Sequence, residues 1–367
     1  MKEGLACCKR AYQNTGILPL EFPEVKEEEK QKMKKCMYSL LHEDMETAVS
    51  RFLQNDTIFD LSWMKDEEKK QFYELSSQFV KDAKAFDDTL SQENIFQALR
   101  NIWIIWMLEL LFHKPMQYHK AMFGYSMLYP YSDNLLDDTS ITHEDKKAFN
   151  QWFTSRLHGE KVICDTDHLK KIDMLVGCIE TVFDREIYPD VYESLYLIQQ
   201  AQINSLQQHL TSTKQDILTI SIEKGGTSVI ADGYLIDGNL TKEQFQFCID
   251  FGFGLQISDD LQDELEDESE GHHTLATMCR DKTARWELFR HCWYFLKNTM
   301  DRFSCHQPIR DFVCNSCLQL LATCVLQNED RYPARYHHQM KALMPVEQEE
   351  LEQINATMKA KMEEFLV

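Results

Sequence analysis

The sequence predicts an all-α protein. Glycine and proline together number 20 in 367 residues, well below their usual share. Apolar residues recur at the i, i+3, i+4, i+7 spacing of an amphipathic helix, as in Ile172 to Phe183, and no alternating strand pattern runs for more than a few residues. Seven of the twelve glycines fall between Gly225 and Gly271, so helix breakers are rarer still in the rest of the chain.

The apolar spacing places the first helices along the chain. Residues 1–35 are expected to begin irregularly, with Pro19, Phe22 and Pro23 in an extended run, and then to become a charged helix. Helices are then expected near 36–54, 62–83, 92–114, 116–129, 133–139, 143–158, 166–186 and 188–212. No linker rich in proline, glycine or serine divides the chain, so residues 36–367 are expected to form a single domain.

Glycines and a capping pattern predict where the later helices end and begin. A helix that starts at Asp216 is expected to break at the pair Gly225-Gly226. The next helix is expected to start at Thr241-x-x-Gln244, which has the form of a capping box. Residues 268–274 are predicted to form a loop.

The charge of the chain excludes some classes of function. A net charge of −21 argues against nucleic acid as a partner, because binding to nucleic acid needs basic patches that release counterions. The longest apolar stretch, Ile102 to Phe112, has 11 residues and contains Glu109, too short and too polar for a transmembrane helix. With no signal-peptide pattern at the start, a cytoplasmic protein without a membrane span is expected.

One acidic row carries the main functional signal. Asp259, Asp263 and Asp267 lie at i, i+4 and i+8, so a helix brings them to one face. Like charges at this spacing destabilise a helix by about 0.2–0.5 kcal/mol per pair, and Mg²⁺, which prefers oxygen ligands, would relieve that repulsion. Together with Asp260 they form what we term the second acidic motif.

A first acidic motif, Asp133, Asp137 and Asp138, begins 126 residues earlier. The alternative for both motifs is a solvated helix face in a chain with 60 acidic residues. Each motif, however, directly follows an apolar, aromatic segment in the sequence, and this context favours a functional site. Pro130 leaves open whether the first motif lies within a helix or begins a new one.

A lysine followed by two glycines, Lys224-Gly225-Gly226, is a candidate phosphate site. Glycines let a backbone approach a phosphate while the ammonium supplies charge. The alternative is a site of close helix packing or a kink. Two further patterns, Cys314-x-x-Cys317 and Glu109-x-x-x-His113, lack the partner ligands of zinc and di-iron sites and are interpreted as core residues.

These motifs resemble those of class I isoprenoid synthases. Lys224, followed by Leu255-Gln-Ile-Ser-Asp-Asp-Leu-Gln-Asp263, is similar to the lysine and Phe-Gln-x-x-Asp-Asp-x-x-Asp motifs of trans-prenyltransferases. The second acidic motif also fits the terpene cyclase pattern Asn/Asp-Asp-x-x-Ser/Thr-x-x-x-Glu. The first resembles the Asp-x-x-x-Asp-Asp form found in squalene and phytoene synthases. The resemblance covers residues 133–267.

The resemblance implies a helical bundle around a deep apolar cavity, with three Mg²⁺ ions against a substrate diphosphate. The implied metal ligands are Asp133, Asp137, Asp138, Asp259, Asp260, Asp263 and Asp267. The implied catalytic residues are Asp133, Asp137, Asp259 and Lys224. Five aromatic residues could stabilise a carbocation by cation–π attraction: Tyr125, Tyr129, Tyr131, Phe251 and Phe253. The alternative for each is ordinary packing in the core.

One departure from the family pattern and one further resemblance bear on the subclass. Chain-elongating enzymes usually carry an arginine pair shortly after the first motif, and Thr139 to Lys147 contains none. Arg331-Tyr332 resembles the Arg-Tyr pair with which many microbial cyclases bind diphosphate, and Arg335-Tyr336 is an equal contender. The alternative is a surface pair with no role in binding.

The sequence thus predicts a Mg²⁺-dependent terpene synthase, a lyase of isoprenoid biosynthesis, that ionises a linear allylic prenyl diphosphate, releases diphosphate and cyclises the chain. Alternatives are a prenyl transferase of the head-to-head or elongating type, an all-α nucleotide pyrophosphohydrolase, and a silent helical scaffold. Substrate length and oligomeric state, a homodimer included, are left open.

Overall fold

The computed structural model describes residues 1–16, 27–28, 31, 64–138, 140–209 and 213–344. This part of the chain contains thirteen α-helices, three short 3-10 helices and no strand, which confirms the all-α prediction. The extended run predicted from Pro19 to Pro23 and the helix predicted at 36–54 lie outside it. The helices are α1 Lys2–Gln13, α2 Asp66–Phe86, α3 Gln92–Leu111, α4 Lys120–Asp137, α5 His143–Leu157, α6 Asp167–Glu180, α7 Pro189–Ser205, α8 Lys214–Asp237, α9 Lys242–Gln262, α10 Glu264–Glu270, α11 Lys282–Arg302, α12 Gln307–Gln327 and α13 His337–Leu343.

Contacts within the chain define two compact units. Unit 1 comprises Met1–Lys69, Gln208–Ile222 and Phe253–Val367. Unit 2 comprises Lys70–Gln207 and Glu223–Gly252. The single domain expected over 36–367 stays a prediction.

Several helices begin where their sequences supply a cap. The side chains of Ser91, Thr142 and Thr166 accept hydrogen bonds from backbone N–H groups in the first turns of α3, α5 and α6. Such caps satisfy N–H groups that have no partner inside the helix. At α9 the predicted capping box is confirmed, since Gln244 N–H donates to the Thr241 hydroxyl at 3.2 Å and Thr241 N–H donates to the Gln244 side chain at 2.9 Å.

In unit 2, α4 packs against α3 and α6. Its contact with α6 is close at Gly124, where an added Cβ would lie 2.4 Å from the Leu175 carbonyl oxygen. The expected division of this region into helices 116–129 and 133–139 is wrong, because α4 continues through Pro130. Burial of the α4 side chains on both flanks of Pro130, including Leu128 and Tyr131, compensates for the backbone hydrogen bond that proline removes.

The predicted break at Gly225-Gly226 is also wrong, because α8 runs without interruption from Lys214 to Asp237. The two glycines serve a different purpose, since they bring α8 close to α9 within unit 2. A Cβ at Gly226 would lie 3.2 Å from a side-chain carbon of Ile249. Helix-helix packing therefore outweighs the low helix propensity of glycine at this position.

In unit 1, the N-terminus is helical rather than irregular. Cys8 and Tyr12 are spaced at i, i+4 on α1 and are both buried. The Tyr12 ring stacks on His291 of α11 with centroids 4.0 Å apart, and the Tyr12 carbonyl lies 2.7 Å from His291 Nε2. This docking gives the first residues a buried face, which the composition of the segment does not reveal.

Among the described helices, α12 alone has the length and composition of a membrane-spanning segment, with a mean hydropathy of 1.3 over its best window. Half of that window is buried inside the protein. The core helix of a globular protein meets the same criteria, so this is weak evidence for a span. The expected absence of a membrane span stays a prediction.

Candidate functional site

A pocket in unit 2 opens among α4, α5 and α7. Its cavity volume is about 30 Å³, room for roughly one or two water molecules, and it opens to solvent. Its walls include Tyr125, Tyr129, Ser132, Phe153, Leu195 and Gln199. Most of these side chains are apolar or aromatic, but the cavity is far smaller than the roughly 300–1,000 Å³ of a typical ligand pocket. The deep apolar cavity implied by the resemblance therefore stays a prediction.

Hydroxyl groups connect one wall of the pocket to α8. The Tyr129 hydroxyl lies 2.8 Å from the Ser228 hydroxyl and 3.4 Å from the Tyr125 hydroxyl. Tyr125 also donates to the Ser228 carbonyl at 3.5 Å. Both tyrosines are thus held against α8 while they line the pocket.

A second connection gives the direction in which α4 and α8 run. The Asn101 amide donates to the Ser126 hydroxyl at 3.0 Å and to the Asp232 carboxylate at 3.1 Å. Ser126 of α4 is therefore paired with Asp232 of α8, whereas Tyr129, further along α4, is paired with Ser228, earlier in α8. The two helices are antiparallel along this contact.

Because α4 and α8 are antiparallel, two predicted functional positions lie at the same height along the helix axes. Asp133 follows Tyr129 by four residues on α4, and Lys224 precedes Ser228 by four residues on α8. One helical turn is 3.6 residues, so the next step along both helices after the Tyr129–Ser228 contact is the level of Asp133 and Lys224. Lys224 is half-buried and forms no ion pair with any side chain that the structure describes.

The first acidic motif occupies the C-terminal end of α4, within the helix and not at the start of a new one. Asp133 and Asp137 lie in its last two turns, and their side chains lie outside the described part of the structure. Asp138 is the exposed C-cap residue. Hydrogen bonds from the Ser140 side chain and backbone lower the pKa of the Asp138 carboxyl group.

The second acidic motif lies in unit 1, where α9 ends and α10 begins. Backbone N–H groups of Asp263 and Asp267 donate to the carbonyls of Asp259 and Asp263, each at 2.9 Å. These bonds continue the helical i to i+4 steps across Asp263, which lies between α9 and α10. A shared face for the three carboxylates stays a prediction. Asp259 is exposed, and Asp263 and Asp267 are half-buried. Asp260 is buried and accepts a hydrogen bond from Gln256 at 2.9 Å.

Arg331 lies beside the second acidic motif. Its guanidinium donates to Glu264 at 3.0 Å and to Glu268 at 2.8 Å, both on α10. Glu264 is only 1% exposed, and it also accepts from Arg285 at 2.7 Å. Arg331 is thus held against the helix that carries Asp267.

The neighbouring aromatic residues are fixed by packing. Tyr332 is fully buried, and burial raises the pKa of its hydroxyl. In the competing pair, the Arg335 guanidinium lies 4.7 Å from the centre of the Tyr336 ring, which stacks on Trp286 at 3.9 Å. Diphosphate binding by Arg331 and Tyr332 stays a prediction.

The five aromatic candidates separate into two groups. Tyr125 and Tyr129 line the pocket, whereas the Tyr131 hydroxyl donates to Asp87 and its side chain is not among those that line it. Phe251 stacks on Phe247 in unit 2 at 5.4 Å. Phe253 meets the Tyr12 ring edge-on in unit 1 at 5.0 Å. The last three are packed core residues, the alternative that the sequence left open.

Sequence reasoning missed the polar residues that hold this site together. Ser228 stands four residues after Lys224, so its position on the same face of α8 was available as a signal. Asn101 and Asp232 carried no motif at all. Asp232 is 1% exposed, and burial raises the pKa of its carboxyl group well above the ordinary value.

The chemistry of the donor atoms fits Mg²⁺ at the second acidic motif, since Asp259, Asp263 and Asp267 offer carboxylate oxygens at helical spacing. Within the side chains that the structure describes, no group of three or more His, Cys, Asp or Glu is already arranged to hold a metal ion. Cys317 and Cys324 are free, buried thiols on α12.

Comparisons of the chain with known proteins found no relative. No protein-family model matches the chain, and neither a curated protein nor a solved structure matches it.

Proposed function

We propose that the protein is a Mg²⁺-dependent class I terpene synthase that ionises a linear allylic prenyl diphosphate and releases diphosphate, with cyclisation of the chain. The first acidic motif and Lys224 form the diphosphate end of the proposed site in unit 2. The apolar walls of the pocket beside them would contact the hydrocarbon chain, and entry of the chain requires these walls to move apart, because the cavity volume is only about 30 Å³. The second acidic motif, in unit 1, is proposed as a Mg²⁺ site in its own right.

The observation that carries the proposal is the antiparallel register of α4 and α8. A cation at Lys224 and the first carboxylate position, Asp133, stand at one level. The adjacent pocket wall, formed by Tyr125 and Tyr129, is bound to α8 one turn away. An ammonium, an acidic motif and an aromatic pocket in one unit supply the three parts that ionisation of an allylic diphosphate requires.

Charged residues and the pocket walls have separate roles in the proposed reaction. Bound Mg²⁺ would supply positive charge that stabilises the departing diphosphate, and in unit 2 the carboxylates of the first motif would hold it. Lys224 donates hydrogen bonds to the diphosphate oxygens as negative charge develops there. A bound chain would displace water from the pocket, and the aromatic rings of Tyr125, Tyr129 and Phe153 that line it would stabilise an allylic cation by up to about 2 kcal/mol each when desolvated.

The region after the first motif supports cyclisation over chain elongation. Elongation needs a second anionic site that holds isopentenyl diphosphate near the cation. Lys146, the first lysine after the motif, donates instead to the carbonyl of Leu136 at the end of α4. The prenyl transferases remain the second candidate, and the cytoplasmic location and any homodimer remain part of the proposal.

The test is incubation of the purified protein with allylic diphosphates from C10 to C25 and Mg²⁺, with and without isopentenyl diphosphate. Released diphosphate and organic products are measured, and a parallel reaction contains excess chelator. We expect one diphosphate released per substrate consumed, a hydrocarbon or alcohol of unchanged carbon number, and no effect of isopentenyl diphosphate.

Other outcomes identify the rivals. A lengthened prenyl diphosphate would indicate an elongating transferase, and a C30 or C40 product from two allylic substrates would indicate head-to-head condensation. Failure to release diphosphate from every substrate would reject the isoprenoid-synthase proposal.

A further inference from the structure

The backbone of α4 is weakened immediately before the first acidic motif. Pro130 lies inside the helix, and it has no N–H to donate to the carbonyl of Ser126 four residues earlier. The segment after it, residues 131–137, carries Asp133 and Asp137. One backbone hydrogen bond fewer joins this segment to the first half of α4, so contacts from outside the helix contribute more to its position.

The first such contact is between Tyr131 and Asp87. Asp87 follows α2 and has a side chain that is 4% exposed. Its carboxylate accepts from the Tyr131 hydroxyl and from the Lys171 ammonium of α6. It also accepts from the Thr89 hydroxyl at 2.6 Å and from the Thr89 backbone at 3.1 Å. Asp87 is therefore fixed by two elements other than α4, and it offers Tyr131 a rigid acceptor.

The second contact is between Lys146 and the end of α4. The Lys146 ammonium, on α5, donates to the Leu136 carbonyl. Leu136 is among the last four residues of α4, whose carbonyls have no partner inside the helix. A cation at a helix C-terminus also interacts favourably with the helix dipole. The segment 131–137 is thus held near both of its ends.

We infer that Asp87 and Lys146 are positioning residues for the first acidic motif: they hold residues 131–137 in the helical position from which Asp133 and Asp137 bind metal and diphosphate. The role in metal binding rests on the proposed function, whereas the restraint on the segment does not. If the segment occupies this position only part of the time, the apparent dissociation constant of the ligand rises by the inverse of that fraction.

The first experiment compares Tyr131→Phe with Tyr118→Phe. Both remove one tyrosine hydroxyl that donates to a carboxylate, Asp87 for Tyr131 and Asp82 for Tyr118, but only Tyr131 lies in the restrained segment. Amide hydrogen exchange of residues 131–137 is measured by mass spectrometry, together with the Mg²⁺ concentration that gives half-maximal binding of inorganic diphosphate. Tyr131→Phe should speed exchange in the segment and raise the required Mg²⁺ about fivefold, as expected if the position is occupied about a fifth of the time. Tyr118→Phe should change neither.

The second experiment compares Lys146→Met with its exposed neighbour, Lys147→Met, and gives an independent answer if Tyr131→Phe fails to fold. Faster exchange of the segment in Lys146→Met alone would support the restraint. Equal exchange in both members of either pair would overturn it, whatever the activity. Faster exchange in Tyr131→Phe or Lys146→Met, combined with a wild-type protein that binds no inorganic diphosphate with Mg²⁺, would reject the proposed function and leave the restraint standing.

Discussion

Gly252 lies in direct contact with Gly225. A Cβ built on Gly252 would stand 2.2 Å from the Gly225 carbonyl oxygen, well inside the distance at which atoms clash. The contact joins α8 and α9 within unit 2. It also changes the interpretation of the Lys-Gly-Gly pattern, because the glycines are explained by packing and only Lys224 is left for phosphate chemistry.

The first prediction is that Gly252→Ala destabilises the protein. The extra methyl group must push two helices apart, and overpacking of this kind costs about 1–3 kcal/mol. Urea unfolding would measure the loss.

The matched control is Gly177→Ala on α6. No described atom lies within 4 Å of the position its Cβ would take, so alanine there should leave stability unchanged or raise it by up to about 1 kcal/mol. Equal effects of the two substitutions would contradict the close contact of Gly252 with Gly225.

The helical class and many helix starts were predictable because they depend on local patterns. The Thr241–Gln244 capping box is one example, since both partners lie within four residues. The continuity of α8 through Gly225 and of α4 through Pro130 was not predictable in this way. Both depend on partners distant in sequence, such as Gly252 for α8, and local propensity gives the opposite answer.

The candidate site was predictable to a similar extent. Helical i to i+4 steps from Asp259 to Asp263 and from Asp263 to Asp267 are expected from local helix geometry, and the backbone hydrogen bonds show them. The pairing of Tyr129 with Ser228 depends on the register between two helices about 100 residues apart in the chain, which no short motif encodes.

The second prediction concerns Lys224. Lys224→Gln should weaken the binding of inorganic diphosphate with Mg²⁺ by about 1.5–3 kcal/mol, the usual contribution of a hydrogen bond to a charged group. Calorimetric titration measures the affinity. Lys242→Gln, at the exposed first turn of α9, removes the same charge from the chain and should have little effect. Unchanged affinity in Lys224→Gln would return Lys224 to a structural role.

The third prediction is a pH dependence of stability that arises from Glu109. This residue is fully buried, and one of its carboxylate oxygens accepts from the Gln117 backbone at 2.9 Å. Burial raises the pKa of Glu109 to about 8, against about 4.3 in an unfolded chain. Between these values the folded state holds a proton that the unfolded state has lost, so stability falls as the pH rises and the loss is complete above pH 8.

The substitution Glu109→Gln should remove this loss. Each unit of pKa difference corresponds to about 1.4 kcal/mol, so the variant should gain a few kcal/mol relative to wild type between pH 5 and pH 8.5. Denaturant unfolding at both pH values gives the comparison. Glu74→Gln, whose side chain is 61% exposed, should keep the wild-type pH dependence. A wild-type slope retained in Glu109→Gln would show that another group is responsible.

The fourth prediction separates the two Arg-Tyr pairs. Arg331 is held by Glu264 and Glu268 beside the second acidic motif, whereas Arg335 stacks on Tyr336. Arg331→Gln should therefore weaken Mg²⁺-dependent diphosphate binding, and Arg335→Gln should not. The same titration measures both variants, with thermal melting to correct for the loss of the Glu264 ion pair. The opposite result would assign diphosphate binding to Arg335.

The last prediction concerns the second acidic motif itself. Asp259→Ala should reduce diphosphate release at least about 100-fold, because loss of a metal ligand removes several kcal/mol of charge stabilisation and each 1.36 kcal/mol is tenfold in rate. Since Asp259 is exposed, stability should change by no more than about 0.5 kcal/mol.

Glu266→Ala provides the control, because Glu266 is an exposed acid on the adjoining helix α10 and is not one of the three aspartates Asp259, Asp263 and Asp267. It should keep wild-type activity at the same Mg²⁺ concentration. Activity that persists in Asp259→Ala, or in wild type with excess chelator, would remove Mg²⁺ from the second acidic motif and with it the metal-dependent mechanism.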